Sequence, residues 1–144
     1  MYHHDTGLRD GSHASGRYAT LLLYLSGGGG ADVAPGGGDA APFEGGETSF
    51  PLAEPSPRAA RAPPPRTADA VRARFGGCNA SAGLSAAPRA GDALLFFNMW
   101  PANSRARDHY AWHGSCALRG EGEKWVANIF FHLPPSRESA GGPG

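Results

Sequence analysis

The sequence has little of several features that would direct a functional interpretation elsewhere. Its two cysteines, Cys78 and Cys116, are too few for a disulfide-rich scaffold or a cysteine-based zinc cluster. One bridge and two unrelated thiols both remain open. With 13 basic and 13 acidic residues the formal net charge is zero, so no broad electrostatic surface for nucleic acid is expected. No apolar run approaches the length of a membrane span, and no signal segment opens the chain.

Glycine and proline are abundant, at 22 and 13 residues, and they are unevenly spread. The length of 144 residues fits one domain with a modest core. Segments rich in β-branched, aromatic and leucine residues predict strands. These segments are residues 17–26, 45–51, 93–98, 111–118 and 124–132. Short strands separated by glycine turns are typical of an all-β sandwich or barrel of the jelly-roll kind.

Two stretches are predicted to lie outside the core. Residues 53–70 are rich in proline, alanine and arginine, which predicts a solvated, partly polyproline-like loop. This loop is either a tolerated insertion or a basic segment that contacts a partner. Residues 134–144 are predicted to form a disordered tail. No strong amphipathic helix is evident.

The first motif with chemical content is His3-His4-Asp5. On a strand, residues two apart project from the same face, so His3 and Asp5 can face one ion while His4 points away. A second histidine from elsewhere would complete the two-histidine, one-carboxylate set of non-haem Fe(II) oxygenases. By itself, His-x-Asp also occurs by chance.

The second motif lies far along the chain, where residues 108–118 (DHYAWHGSCAL) lead through a turn to residues 122–128 (GEKWVAN). His113 supplies the missing imidazole. Lys124 follows about one hairpin later and can return along the neighbouring strand. A buried ammonium is stable only when it is paired, so a carboxylate cosubstrate would satisfy both charges.

Together these residues resemble the prolyl 4-hydroxylase branch of the 2-oxoglutarate/Fe(II)-dependent dioxygenases, over most of the chain. Five motifs follow the family's order: His3 with Asp5, residues 17–25, residues 45–51, residues 88–96, and His113 with Lys124. The resemblance implies a double-stranded β-helix, a jelly roll. Residues 1–133 would be the catalytic domain, with an insertion at about 53–87, and the family's upstream strands and helix would be missing from this chain.

The resemblance also implies a ligand set. His3, Asp5 and His113 would bind Fe(II). Lys124 would pair with the distal carboxylate of 2-oxoglutarate, and Thr20 would be the hydroxyl that assists it. Without the family argument, a threonine in a β-rich run is more often an ordinary strand residue.

For the substrate, the resemblance places Arg17 toward the acceptor and Trp125 directly after the cosubstrate lysine. Each has a plainer alternative, because Arg17 could be a strand-end charge and Trp125 a core residue. Three further histidines, His13, His109 and His132, have no matching position and are interpreted as surface or structural residues. Ala117 stands where relatives usually have proline.

The implied activity is hydroxylation of peptidyl proline in a proline-rich polypeptide, with succinate and CO2 as co-products. The same resemblance implies L-ascorbate as the reductant that maintains the iron, and the endoplasmic reticulum or secretory pathway as the compartment. Two alternatives remain. One is the same chemistry on another side chain or a small molecule, and the other is a non-catalytic jelly-roll domain that only binds.

Overall fold

The computed structural model describes residues 2–5, 16–27, 43–53, 67–75, 78, 83–100 and 103–133. These ranges are mostly β-structure. The strands are β1 (Arg17–Tyr24), β2 (Phe43–Gly45), β3 (Thr48–Phe50), β4 (Leu84–Ala86), β5 (Ala93–Phe97), β6 (Met99–Trp100), β7 (Asn103–Arg107), β8 (Gly114–Ser115), β9 (Leu118–Gly120) and β10 (Val126–His132). The described helices are α1 (Ala68–Phe75) and a 3-10 turn at His109–Ala111.

The first layer is an antiparallel sheet in the order β10-β1-β5. The central strand, β1, alternates in burial, and its inward side carries Thr20, Leu22 and Tyr24. On the outward side, Leu21 pairs with Leu95 of β5 and Ile129 of β10, both of which are exposed. Because side chains alternate across a sheet, one face of this layer builds the core and the other presents apolar groups.

The second layer is the antiparallel sheet β4-β3-β8, accompanied by the pair β2-β9. Two contacts join it to the first layer. The ring of Phe50 on β3 packs edge-on against Phe96 of β5 at 5.1 Å between centroids. The hydroxyls of Tyr24 and Thr48 share a hydrogen bond of 2.8 Å. Two antiparallel sheets packed over one interior confirm the predicted all-β, jelly-roll fold.

The helix α1 shows that the loop prediction for residues 53–70 is wrong at its C-terminal end. Thr67 precedes the helix, and its hydroxyl accepts a hydrogen bond from the backbone N–H of Ala70 at 3.2 Å. Val71 is fully buried in a cluster with Tyr2, Leu52 and Trp112. A helix with a single buried apolar residue has almost no amphipathic pattern, so periodicity did not reveal it.

The predicted strand at 111–118 is also wrong for most of its length. A 3-10 turn ends at Ala111, and Asp108 begins it by accepting a hydrogen bond from the backbone N–H of Tyr110 at 2.9 Å. Within this stretch only β8 and Leu118, the first residue of β9, are strand. The turn expected at 119–123 contains most of β9, which pairs with β2. The strands predicted around residues 17–24, 48–50, 93–97 and 126–132 are confirmed.

A disulfide joins Cys78 to Cys116, which decides the question that the sequence left open. It links the segment after α1 to the residue that follows β8. No helix within the described ranges is long and apolar enough to cross a membrane. The predicted tail at 134–144 and His13 lie outside the described residues.

Candidate metal and cosubstrate site

Two histidines and one aspartate from distant parts of the chain meet at one point. Ligand atoms of His3, Asp5 and His113 all lie within 4.8 Å of one another. Asp5 Oδ1 is 3.4 Å from His3 Nε2, and Asp5 Oδ2 is 3.7 Å from His113 Nε2. Adjacent ligands of an octahedral ion with bonds of about 2.1 Å are roughly 3 Å apart. The predicted ligand residues are thus close enough to share one divalent ion, and they form the donor set that is diagnostic of non-haem Fe(II).

The backbone sets the two histidines opposite each other. His3 N–H donates to His113 O at 2.8 Å, and His113 N–H donates to His3 O at 3.1 Å. Directly paired residues of an antiparallel ladder present their side chains on the same face, and the two rings lie 4.3 Å apart. Asp5 follows His3 by two residues, and its side chain reaches the same point.

A hydrogen bond fixes the tautomer of His113. Its Nδ1 lies 2.9 Å from Ala111 O, and because a carbonyl only accepts, Nδ1 carries the proton. The other nitrogen, Nε2, therefore keeps its lone pair for a metal. Burial lowers the pKa of His113 to about 4, so the imidazole is neutral near pH 7, as metal binding requires.

Asp5 is a buried carboxylate whose charge is nevertheless favoured. Burial acts to raise its pKa, but the hydrogen bond with His3, the nearby His113 and the hydrogen bond from Thr20 together lower it below the ordinary value. The side chain is therefore ionised at neutral pH. An ionised oxygen ligand beside two imidazoles offsets part of the charge of a divalent cation.

Thr20 lies beside the candidate metal ligands. Its hydroxyl donates to Asp5 Oδ2 at 3.0 Å and accepts from Asn98 Nδ2 at 2.9 Å, and both Thr20 and Asn98 are completely buried. No described contact joins Thr20 to Lys124, where the sequence interpretation had placed it. Sequence reasoning missed Asn98, because an asparagine at the end of an apolar strand carries no signal of this role.

Lys124 forms the second part of the site. Its ammonium donates to Gly46 O, and to Ser115 Oγ at 3.3 Å. It lies 5.4 Å from the ring centroid of Tyr24, whose hydroxyl is hydrogen-bonded to Thr48. The described hydroxyl in contact with this cation is therefore that of Ser115, and the ring of Tyr24 lies beside it. The sequence motifs contain Ser115, Tyr24 and Thr48, but the sequence assigns no role to any of them.

The charge of Lys124 is only partly compensated. Burial lowers the pKa of this lysine, and the carboxylate of Glu47 acts in the opposite direction. Its hydrogen bonds go to neutral acceptors, Gly46 and Ser115. A half-buried ammonium with neutral partners is a suitable partner for a carboxylate, because charge-assisted hydrogen bonds are stronger than neutral ones.

The two residues interpreted as substrate-facing lie far apart along β1. Arg17 is its first residue, whereas Trp125 accepts a backbone hydrogen bond from Leu25, just beyond its last residue. The guanidinium of Arg17 stacks over the ring of Phe130 at 3.8 Å, and Arg17 pairs in register with His132 at the end of β10. Trp125 is 62% exposed, and its indole N–H donates to Glu123 Oε2 at 3.1 Å, so it is a surface residue and not part of the core.

Comparison with known proteins identifies the family. Residues 1–132 match the family described as the 2OG-Fe(II) oxygenase superfamily. The chain belongs to this superfamily. Among curated relatives, it is 35% identical to probable prolyl 4-hydroxylase 4 of Arabidopsis thaliana over 132 residues, which are 92% of the chain and 35% of that protein. It is 33% identical to prolyl 4-hydroxylase 2 of the same plant over equal shares. The chain thus spans about a third of the length of the curated relatives it matches.

The 2OG-Fe(II) oxygenase superfamily implies an iron ion and 2-oxoglutarate, and the residues present fit both groups. His3, Asp5 and His113 are the donor set for the metal. Lys124, a half-buried cation beside Ser115 and the Tyr24 ring, would be the residue to hold the far carboxylate of 2-oxoglutarate. The His3, Asp5 and His113 cluster could thus hold the metal that this superfamily implies.

Proposed function

We propose that the protein is a 2-oxoglutarate- and Fe(II)-dependent dioxygenase that hydroxylates peptidyl proline, with succinate and CO2 as co-products. The observation that carries the proposal is the convergence of His3, Asp5 and His113 within 4.8 Å, inside a fold that also places the half-buried Lys124 beside Ser115 and the Tyr24 ring. When bound, the iron and 2-oxoglutarate supply the oxidative chemistry that converts a C–H bond to C–OH.

The residues of this chain hold, orient and shield those groups. His113 keeps Nε2 unprotonated because Nδ1 donates to Ala111. The rings of Phe96 and Phe50 lie 4.7 and 5.5 Å from the His113 ring and form an apolar wall beside it. Such a wall excludes water and strengthens the electrostatic interactions in the site. Lys124 orients the cosubstrate by pairing with its far carboxylate, which favours one binding geometry.

The proposal also specifies the acceptor substrate, the molecule that is hydroxylated. Peptidyl proline is supported by the names of the relatives, which are prolyl 4-hydroxylases. Arg17, stacked on Phe130 at a strand end, is a candidate contact for a proline-rich polypeptide, and the exposed Trp125 is a second one. L-Ascorbate as reductant belongs to the same proposal. The Cys78–Cys116 disulfide supports a secretory compartment, since such bonds persist in oxidising environments.

The first test is an anaerobic titration with Fe(II) and 2-oxoglutarate, followed by the weak visible charge-transfer band of the complex. We expect the band in the parent chain and in His109→Ala, which alters a histidine outside the metal ligands, and its loss in His113→Ala. A folded parent chain without a band would contradict the proposal that it is a functional dioxygenase domain.

The second test addresses the acceptor. Proline-rich peptides and matched peptides with alanine in place of proline are assayed for succinate formation coupled to hydroxylation. We expect coupled turnover with the proline peptides alone. Uncoupled succinate formation with every peptide would leave the dioxygenase chemistry in place and contradict peptidyl proline as the acceptor.

A further inference from the structure

Behind the iron ligands lies a buried chain of three polar side chains that ends on Asp5. Asn98 Nδ2 donates to Thr20 Oγ1 at 2.9 Å, and Thr20 Oγ1 donates to Asp5 Oδ2 at 3.0 Å. Asn98 and Thr20 are completely buried. The contacts come from β1 and from the residue that follows β5, so the first sheet itself supports the carboxylate.

The donor and acceptor roles in this series of hydrogen bonds are fixed by the chemistry of the three side chains. A threonine hydroxyl has one hydrogen, and here it is used on Asp5, which only accepts when ionised. The amide of Asn98 must therefore turn Nδ2 toward Thr20, because the opposite orientation would set two acceptors against each other. This orientation leaves Asn98 Oδ1 buried with no hydrogen-bond partner within the described part of the chain. The bond to Thr20 is thus kept although it leaves an acceptor unpaired.

The first member of the chain is held in place by the backbone. Asn98 N–H donates to Tyr18 O at 2.8 Å, and Asn98 O accepts from Asp108 N–H at 3.0 Å. With both backbone groups bonded and the side chain enclosed, Asn98 has little freedom to move. A rigid donor at one end transmits its position through Thr20 to the carboxylate at the other.

We propose that Asn98 and Thr20 are positioning residues that hold Asp5 for the metal by occupying Oδ2 and leaving Oδ1, on the side of His3, as the ligand atom. Groups that orient a metal ligand in this way commonly change metal affinity by 10- to 100-fold when they are removed. The inference rests on the iron site proposed above, and it assigns to Thr20 a role at the metal instead of at 2-oxoglutarate.

The test measures metal binding without turnover. Mn(II), a redox-inactive substitute for Fe(II), is titrated into the metal-free chain, and free ion is quantified by its electron paramagnetic resonance signal. We expect Thr20→Val to weaken Mn(II) binding by about 10-fold or more, and Thr20→Ser, which keeps the hydroxyl, to restore it. If Thr20 acted only through packing, valine, which retains the volume of threonine, would be tolerated better than serine. The expected order of Mn(II) affinities is the opposite.

Asn98→Leu provides a second variant that leaves Thr20 in place. We expect it to weaken Mn(II) binding as well, and the double variant with Thr20→Val to be within about twofold of the single variants, because both act through one hydrogen bond to Asp5. Ser49→Ala is the control, since it removes another completely buried hydroxyl, one that has no hydrogen-bond partner among the described residues. If Thr20→Val loses its near-ultraviolet circular dichroism, Asn98→Leu decides the question.

The outcomes separate this inference from the function on which it rests. A parent chain that does not bind Mn(II) would contradict the metal site and this inference with it. A parent chain that binds Mn(II), together with folded Thr20→Val and Asn98→Leu variants of equal affinity, would overturn the inference alone.

Discussion

His3 and His113 exchange both backbone hydrogen bonds, at 2.8 and 3.1 Å, and their rings lie 4.3 Å apart. The contact that brings the metal ligands together is therefore also the contact that attaches the first described residues of the chain to the strand region around β8. Fold and site depend on each other at this point. A metal bound here bridges two segments that are distant in sequence, and that bridge would act on stability as well as on chemistry.

The first prediction concerns metal removal. A ligand that binds only the folded state stabilises it by RT ln(1 + [L]/Kd), which is about 2.7 kcal/mol at 100 times Kd. We expect saturating Mn(II) to raise the melting temperature of the parent chain, and chelation with EDTA to reverse the rise. In His3→Ala the shift should disappear, although this side chain is 57% exposed and contributes little to packing. Thermal unfolding followed by circular dichroism provides the measurement, and an equal metal-induced shift in both proteins would contradict the prediction.

A second prediction separates the two parts of the site. Lys124→Met keeps the length of the side chain and removes its charge, so the affinity for 2-oxoglutarate should fall by about 10- to 100-fold, the effect of losing a charge-assisted hydrogen bond of roughly 1.5–3 kcal/mol. Mn(II) affinity should be unchanged, because Lys124 contacts none of the metal ligands in the described residues. Isothermal titration of Mn(II) into the metal-free chain measures the first affinity, and titration of 2-oxoglutarate into the Mn(II)-loaded chain measures the second.

The matched control for Lys124→Met is Arg119→Met. Arg119 is also a cation on a neighbouring part of the chain, but its side chain is 73% exposed and its partner at 3.6 Å is the exposed Glu44. Surface ion pairs of this kind contribute about 0–1 kcal/mol. Arg119→Met should therefore bind 2-oxoglutarate like the parent chain, and a loss as large as that in Lys124→Met would indicate a nonspecific charge effect.

The third prediction is a pH dependence of the metal-free protein. Burial lowers the pKa of His113 from 6.5 to about 4, so below pH 6.5 the unfolded state binds the proton more readily than the folded state. The free energy of unfolding should consequently decrease as the pH falls from about 6.5 to 4. The contribution of this residue is on the order of 3 kcal/mol, at 1.36 kcal/mol for each unit of pKa.

Urea unfolding between pH 4 and pH 7 in the presence of EDTA tests this slope. We expect His113→Asn to be less sensitive to pH than the parent chain, while His109→Asn, a histidine of the 3-10 turn, keeps the parental slope. Some dependence should remain in His113→Asn, because burial also lowers the pKa of His4. Parallel curves for His113→Asn and the parent chain would refute the assignment.

The iron ligands could be predicted from the sequence because their signal is local. Strand-like alternation predicts His3 and Asp5 on one face, and the family motif around His113 supplies the third ligand. In the structure His3 makes an isolated bridge and Asp5 lies in a turn, but their side chains still meet. The role of Thr20 could not be predicted in the same way. Its partner Asn98 is distant in sequence, and only the pairing of β1 with β5 brings the two together.

The dependence on contacts distant in sequence also explains why parts of the fold were predicted wrongly. The strands β1, β5 and β10 are long enough for composition and hydrophobicity to indicate them. By contrast, α1 has one buried apolar residue, Val71, and depends on tertiary contacts with Tyr2 and Trp112. Elements this short receive most of their stability from packing, which a local pattern does not contain.

The last prediction concerns the disulfide between Cys78 and Cys116. The bond closes a loop with a sequence separation of 38 residues, and the chain-entropy relation gives a stabilisation of about 4 kcal/mol for a loop of that length. Cys116 N–H also donates to Glu47 O at 2.9 Å, and the preceding Ser115 accepts from Lys124. Replacing both cysteines with serine should therefore lower the free energy of unfolding by up to this amount and weaken 2-oxoglutarate binding through displacement of Ser115. Urea unfolding and isothermal titration of the double variant measure the two effects, with the reduced parent chain as comparison. Unchanged stability in both samples would mean that the loop between the two cysteines is already ordered without the bond.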